Sequence, residues 1–139
     1  MREILFRGKR VDNGKWVTGY YIRANYHLHN RGIHKDWIIT GACANGGWFV
    51  LRGRYPVIPE TVGQYTGLEA NGKRIFEGDI VRGRDALEKG LVVEGYIDHQ
   101  YGSFCIVCDL MTHFRWMDYE VEVIGNIHDN PELIGGAEE

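Results

Sequence analysis

The sequence predicts a mainly β protein, an SH3-type barrel or roll carrying an N-terminal β-meander, with short helical turns only. Three observations carry this. Apolar residues alternate with a period of two, the half-buried strand signal. Nineteen glycines against three prolines punctuate many short elements. The segment Gly78-Asp79-Ile80-Val81 opens a series of short strands of the kind that small barrels are built from. At 139 residues, with 44% of them hydrophobic, the chain is expected to form one domain over residues 1–134. Its N-terminal β lobe covers about 1–68 and its barrel about 72–134, packed on a shared core, and residues 135–139 are expected to be a disordered tail.

The elements follow in order. Ile4 and Phe6 fall on one face of a first strand, with Glu3, Leu5 and Arg7 on the other. Asp12-Asn13-Gly14 tolerates positive φ and predicts a hairpin into Lys15–Ile22, which is rich in β-branched and aromatic residues. Residues 23–35 lose the alternation and collect His, Asn, Arg and Gly, so a long loop is expected there. Trp37–Thr40 and Trp48–Leu51 read as strands joined by a Gly41–Gly47 turn segment. Pro59, with its fixed φ, suits the start of a helical turn through Val62. Asn71-Gly72 is a tight-turn pair. After the strand at Gly78–Val81, one helical turn is expected over Asp85–Lys89. Strands then follow at Leu91–Asp98, Ser103–Cys108 and Phe114–Ile124, the last with Tyr119, Val121 and Val123 inward and Glu120 and Glu122 in water.

Composition narrows the function classes. No apolar run reaches the roughly 18 residues of a membrane span, so no membrane partner is expected. The first ten residues lack the apolar core of a secretory signal. Cys43, Cys105 and Cys108 are too few, and odd in number, for a disulfide scaffold, which points to the cytoplasm. The net charge of -3 conceals a segregation: residues 1–54 carry +7 and the remainder -10. Such asymmetry bears on partners and on self-association, and a homo-oligomer is expected from it.

Candidate chemistry is sparse. Cys105-x-x-Cys108 has half-site zinc spacing, but strand positions three apart point to opposite faces, so packed cysteines are expected. His27-x-His29 with His34 is the better arrangement for a metal, although no metal and no cofactor is expected, because a polar loop accounts for these histidines. Ser103 lacks a nucleophile elbow and is read as a hairpin-turn residue. Gly63–Gly67 lacks the lysine of a phosphate loop and reads as a turn. Glu77, Asp79, His99, Asp118 and His128 carry acid–base groups with no spacing that links them. No catalytic residue is assigned. The basic half interleaves cations with rings, as single-stranded nucleic-acid grooves do. Arg7, Lys9, Arg10, Lys15, Trp16 and Tyr20 are the candidate nucleic-acid contacts.

Several segments, taken together, resemble the YopX-like family of bacteriophage and prophage proteins. They are Phe6–Lys9, Trp16–Tyr20, Thr61–Gly67, Gly72–Val81 and Val123–Leu133, and residues 23–54 fall outside them. The resemblance implies a mainly β fold with an SH3-type barrel and a phage or prophage origin, and it implies no reaction and no site residues. The expected function is therefore a non-enzymatic binding or interaction module. The alternative is a nucleic-acid-binding protein using the basic aromatic half, and a metal-dependent enzyme ranks third. Partners are expected among a second copy of the chain, a phage or host protein, and nucleic acid.

Overall fold

Strands account for nearly all of the regular structure, and the sequence dictates where they stop. The computed structural model describes residues 3–28, 31–45, 48–85, 90–109 and 111–134, with the backbone alone for 24–28, 31–34, 42–45 and 48–51. The chain divides into two compact units, Met1–Gln64 and Tyr65–Glu139. The only helical pieces among the described residues are three-residue 3-10 turns.

The first unit is a meander: β1 (Phe6–Lys9), β2 (Trp16–Leu28), β3 (Arg31–Asn45) and β4 (Trp48–Pro56). A 3-10 turn at Pro59–Thr61 then leads into β5 (Gly63–Ala70), with Pro59 opening the turn as its fixed φ favours. The start of β5 returns to β1, with Phe6 opposite Gln64 and Arg7 opposite Gly63, giving the order β4-β3-β2-β1-β5. Of residues 23–35, expected as a loop, 23–28 and 31–35 are strand: β2 and β3 pair from Tyr20↔Ile39 to Leu28↔Arg31. Backbone pairing with a neighbour holds this stretch extended although its side chains do not alternate. Of the expected Gly41–Gly47 turn segment, residues 41–45 are strand as well, with Asn45 of β3 opposite Trp48, while 46–47 lie outside the described residues. Leu5 is buried and Ile4 half exposed, on opposite faces as expected.

The second unit repeats that order. After β5 pairs with β6 (Lys73–Phe76) across the Asn71-Gly72 turn, both of whose φ are positive, come β7 (Asp79–Asp85), β8 (Val92–Gln100), β9 (Ser103–Val107), β10 (Thr112–His113) and β11 (Tyr119–Asn126). The sheet order is β10-β9-β8-β7-β11, again with a 3-10 turn, Trp116–Asp118, before the last strand. The mainly β fold with short helical turns only is as expected, and because the end strands β10 and β11 do not pair with each other the second unit's five-stranded sheet is open, not a closed barrel. A bend and that 3-10 turn take the place of the first part of the strand expected over Phe114–Ile124, which begins only at Tyr119. The turn swings Trp116 inward, where its indole N–H donates to the Phe104 carbonyl at 2.9 Å and its ring is 2% exposed. Trp116 joins Ile75, Val81, Val93, Ile97 and Ile106 in the unit's core.

The Gly78-Asp79 entry to β7 is fixed by hydrogen bonds. Gly78 takes φ 89°, its N–H donates to Ile97 O and its carbonyl accepts from Ile127 N–H, each at 2.8 Å. The buried Asp79 carboxylate accepts from Phe76 N–H at 2.8 Å. Segments 86–89 and 135–139, expected as a helical turn and a disordered tail, lie outside the described residues.

Candidate functional site: a basic aromatic sheet face

Strand parity brings part of the basic half together. Positions two apart share a face, and directly opposed residues of antiparallel strands share it too. Lys9 is opposite Trp16 and Arg7 opposite Thr18, so Arg7, Lys9, Trp16, Thr18 and Tyr20 stand on one face of β1–β2. Tyr20 is opposite Ile39 and Ile22 opposite Trp37. Ile39 in turn is opposite Arg54. The same face therefore continues through Lys35 and Trp37 on β3 to Arg54 on β4. Thr18, Tyr20, Ile22, Lys35 and Arg54 are exposed, Tyr20 at 57%.

The rings organise the cations. The Arg7 guanidinium lies 4.5 Å from the Trp16 ring centroid, and Lys9 Nζ lies 5.5 Å from the same ring. Lys35 Nζ is 5.8 Å from the Trp37 ring. Such contacts contribute about 0.5–1 kcal/mol each at exposed sites and hold long side chains in place. Strands β1–β4 themselves carry no carboxylate on this face. Asp12 is in the β1–β2 turn, Glu60 in the 3-10 turn, Glu3 ahead of β1, and Asp36 on the opposite face. The face is thus positive, with rings interleaved.

Two of the six candidate residues do not belong to it. Arg10 follows β1 and makes a two-pronged ion pair with Asp12, at 3.0 and 2.7 Å, while stacking 4.4 Å from the Tyr55 ring. That guanidinium holds the Asp12 carboxyl below its usual range. Lys15 sits at the end of the turn, its N–H donating to Asn13 Oδ1. Register adds Lys35, Trp37 and Arg54 in their place. The alternation Lys35-x-Trp37 was the available signal, hidden by reading residues 23–35 as a loop.

The opposite face carries a part-buried polar pair. Tyr21 O–H donates to the Asp36 carboxylate, Arg23 approaches Asp36 at 3.9 Å, and Phe6 packs on Tyr21 with ring centroids 5.4 Å apart. Burial, together with Asp36, pushes the Tyr21 phenol up to about 12.

The remaining candidates are dispersed. Cys105 is buried in β9 with its thiol toward Asp98 O, and burial pushes that thiol up; Cys108, beyond the strand, faces Met111 O. Register sets His27 opposite Gly32 and His34 opposite Asn25, while His29 lies outside the described residues. Among the described residues no three His, Cys, Asp or Glu side chains converge as metal ligands would. Ser103 opens β9, and Tyr101-Gly102 supplies the turn instead. His99 stacks edge-on against Phe104. No helix among the described residues is long and apolar enough to cross a membrane.

Fold and face together define an all-β protein of two repeated meanders with one cationic, ring-bearing sheet surface. The chain belongs to the YopX family: the family described as YopX protein matches residues 5–135. No curated protein and no solved structure matches the chain.

Proposed function

We propose that this YopX-family chain is a non-enzymatic binding module, an accessory protein of a phage or prophage acting in the cytoplasm of its bacterial host, and that its ligand is nucleic acid. The observation that carries this reading is the face of β1–β4, where Arg7, Lys9, Lys35 and Arg54 share a surface with Trp16, Tyr20 and Trp37. Cations neutralise phosphates, and an exposed ring such as Tyr20 offers a stacking surface to a base of any identity. Guanidinium and ammonium groups already set over Trp16 lose little further freedom when a phosphate arrives. The ligand is therefore single-stranded and read without strong sequence preference.

Titration of a labelled oligodeoxythymidylate at two salt concentrations tests this. Binding that weakens steeply with salt supports it. No binding at low salt removes it and leaves a phage or host protein as the partner. A metal-dependent enzyme is the outcome only if purified protein carries stoichiometric metal that is lost on changing His27, His29 and His34 to alanine.

A further inference from the structure

The two units match residue by residue. Gly19 pairs with Phe6, and a β-carbon there would overlap the Ile39 carbonyl oxygen and lie 3.1 Å from Ile38 Cγ2. Gly95 pairs with Val81, and a β-carbon there would overlap the Val107 carbonyl oxygen and lie 3.0 Å from Ile106 Cγ2. From that anchor, register sets Arg7 on Arg82, Gly8 on Gly83, Lys9 on Arg84, Val17 on Val93 and Tyr20 on Tyr96. The hairpin ends agree: Arg10 N–H donates to Lys15 O at 2.9 Å and Asp85 N–H to Leu91 O at 3.2 Å, with Gly14 and Gly90 both at positive φ just before the acceptor.

The match breaks around the arginine. The neighbours opposite Arg7 are Thr18 on β2 and Gly63 on β5; those opposite Arg82 are Glu94 and Glu122. Arg82 Nε lies 2.7 Å from Glu94 and Nη1 3.2 Å from Glu122. Trp16 is replaced by Val92. This surface of the second unit is concave, an open cavity of about 590 Å³ whose lining includes Arg82, Arg84, Glu120 and Glu122.

Carboxylate and phosphate meet a guanidinium with the same planar, two-pronged geometry. We infer that the second unit carries a twin of the first unit's anion site, whose ligand is a phosphodiester strand and whose phosphate positions are filled by the chain's own Glu94 and Glu122. The class of ligand rests on the proposed function; the closed state rests on the register and the two ion pairs. All three side chains are about half exposed, and exposed pairs of this kind contribute little to stability. Removing the carboxylates opens the site without unfolding the unit.

The test is a gain of binding. Glu94→Gln and Glu122→Gln are introduced together into a chain whose first face carries Lys9→Glu and Arg54→Glu, and affinity for labelled oligodeoxythymidylate is measured by anisotropy. The expected result is at least a tenfold gain, with the slope of log affinity against log salt steeper by about 0.7, one phosphate on Arg82, since Glu120 stays opposite Arg84. Adding Arg82→Ala abolishes the gain. The control Glu60→Gln with Glu132→Gln makes the same change in net charge elsewhere. No gain, a gain that survives Arg82→Ala, or an equal gain in the control overturns the inference. If the glutamine pair fails to fold, Glu94→Thr, the residue that the first unit has in that register, replaces it. A wild-type chain that ignores the oligonucleotide while the glutamine variant binds it defeats the proposed function and leaves this inference standing.

Discussion

Arg82 faces Glu94 across the β7–β8 pair at 2.7 Å, in the register where the first unit sets Arg7 against Thr18. Two differences in a repeated framework, Glu94 for Thr18 and Glu122 for Gly63, thus give the second unit's arginine carboxylate neighbours on both adjoining strands. The contrast separates what the framework needs from what one unit has gained. Glycines, hairpin hydrogen bonds, the buried isoleucine and the cations of β1 and β7 recur in both units, whereas the carboxylates beside Arg82 and the ring of Trp16 do not.

The same contrast predicts which lysines and arginines matter for binding. Lys9→Glu weakens oligonucleotide binding and lowers the magnitude of the salt slope by about 0.7 for each phosphate that is no longer neutralised. Arg10→Glu has a smaller effect, because Arg10 is committed to Asp12 and Tyr55. Anisotropy titrations at several salt concentrations compare the two. Equal reductions would show that overall charge, not the sheet face, attracts the ligand.

Gly95→Ala and Gly19→Ala are expected to destabilise by about 2 kcal/mol or more, since the added carbon meets a backbone carbonyl that cannot rotate away as a side chain does. Gly41→Ala is the matched control on β3, where a β-carbon meets nothing within 4 Å. Urea midpoints rank the three. A neutral Gly95→Ala would mean that β9 does not cross so closely.

Much of this framework was legible in the sequence because local chemistry and tertiary need coincide. Asn71-Gly72 has the conformation a two-residue turn demands, Pro59 opens its 3-10 turn, and in β11 Tyr119, Val121 and Val123 are part-buried while Glu120 and Glu122 are exposed. The long β2–β3 hairpin was not legible, since its Arg, Asn and His residues give no period and only pairing keeps them extended. The repeat was hidden for a different reason. Its identities are few, and the second unit has one more residue between Arg84 and Gly90 than the first has between Lys9 and Gly14, so a fixed offset slips out of phase. Of the candidate site, strand parity alone joins Arg7, Lys9, Trp16 and Tyr20. The separation of Arg10 from them needed its ion pair with Asp12 to be seen.

Tyr21→Phe removes the donor to a carboxylate that is itself only 7% exposed. The expected loss is about 1.5–3 kcal/mol near neutral pH, the range for hydrogen bonds to charged groups. The phenol's pKa is raised in the folded chain, from 10.0 to about 12, chiefly by burial and then by Asp36. Below the unfolded value its contribution is complete. It is lost as pH rises through the folded value, because the unfolded chain releases the proton first. The stability gap between wild type and Tyr21→Phe is therefore constant below pH 10 and narrows toward pH 12. A gap independent of pH across that window would show that Tyr21 ionises in the folded chain as it does in the unfolded one.

Charge segregation carries the last prediction. Residues 1–54 hold +7 and the rest of the chain -10, and the repeat gives the segregation a structural form. Equivalent sheet faces carry Arg7, Lys9, Lys35 and Arg54 in the first unit, but alternate arginine with Glu94, Glu120 and Glu122 in the second. A basic face of one copy and a carboxylate-bearing face of another are complementary in sign, and contacts of unlike surfaces build rings or chains of copies, in contrast to the self-matched surfaces of a simple dimer. Such contacts between exposed charges weaken once the screening length falls below about 10 Å, near 0.1 M salt. Sedimentation at tens of micromolar protein is expected to give a mass above that of the 15.9 kDa chain at low salt and to approach it at high salt. Oligonucleotide, which competes for the basic face, is expected to dissociate the assembly at low salt. A monomeric mass at both salt concentrations would show that the opposed charges are compensated within one chain and that no copy-to-copy contact forms.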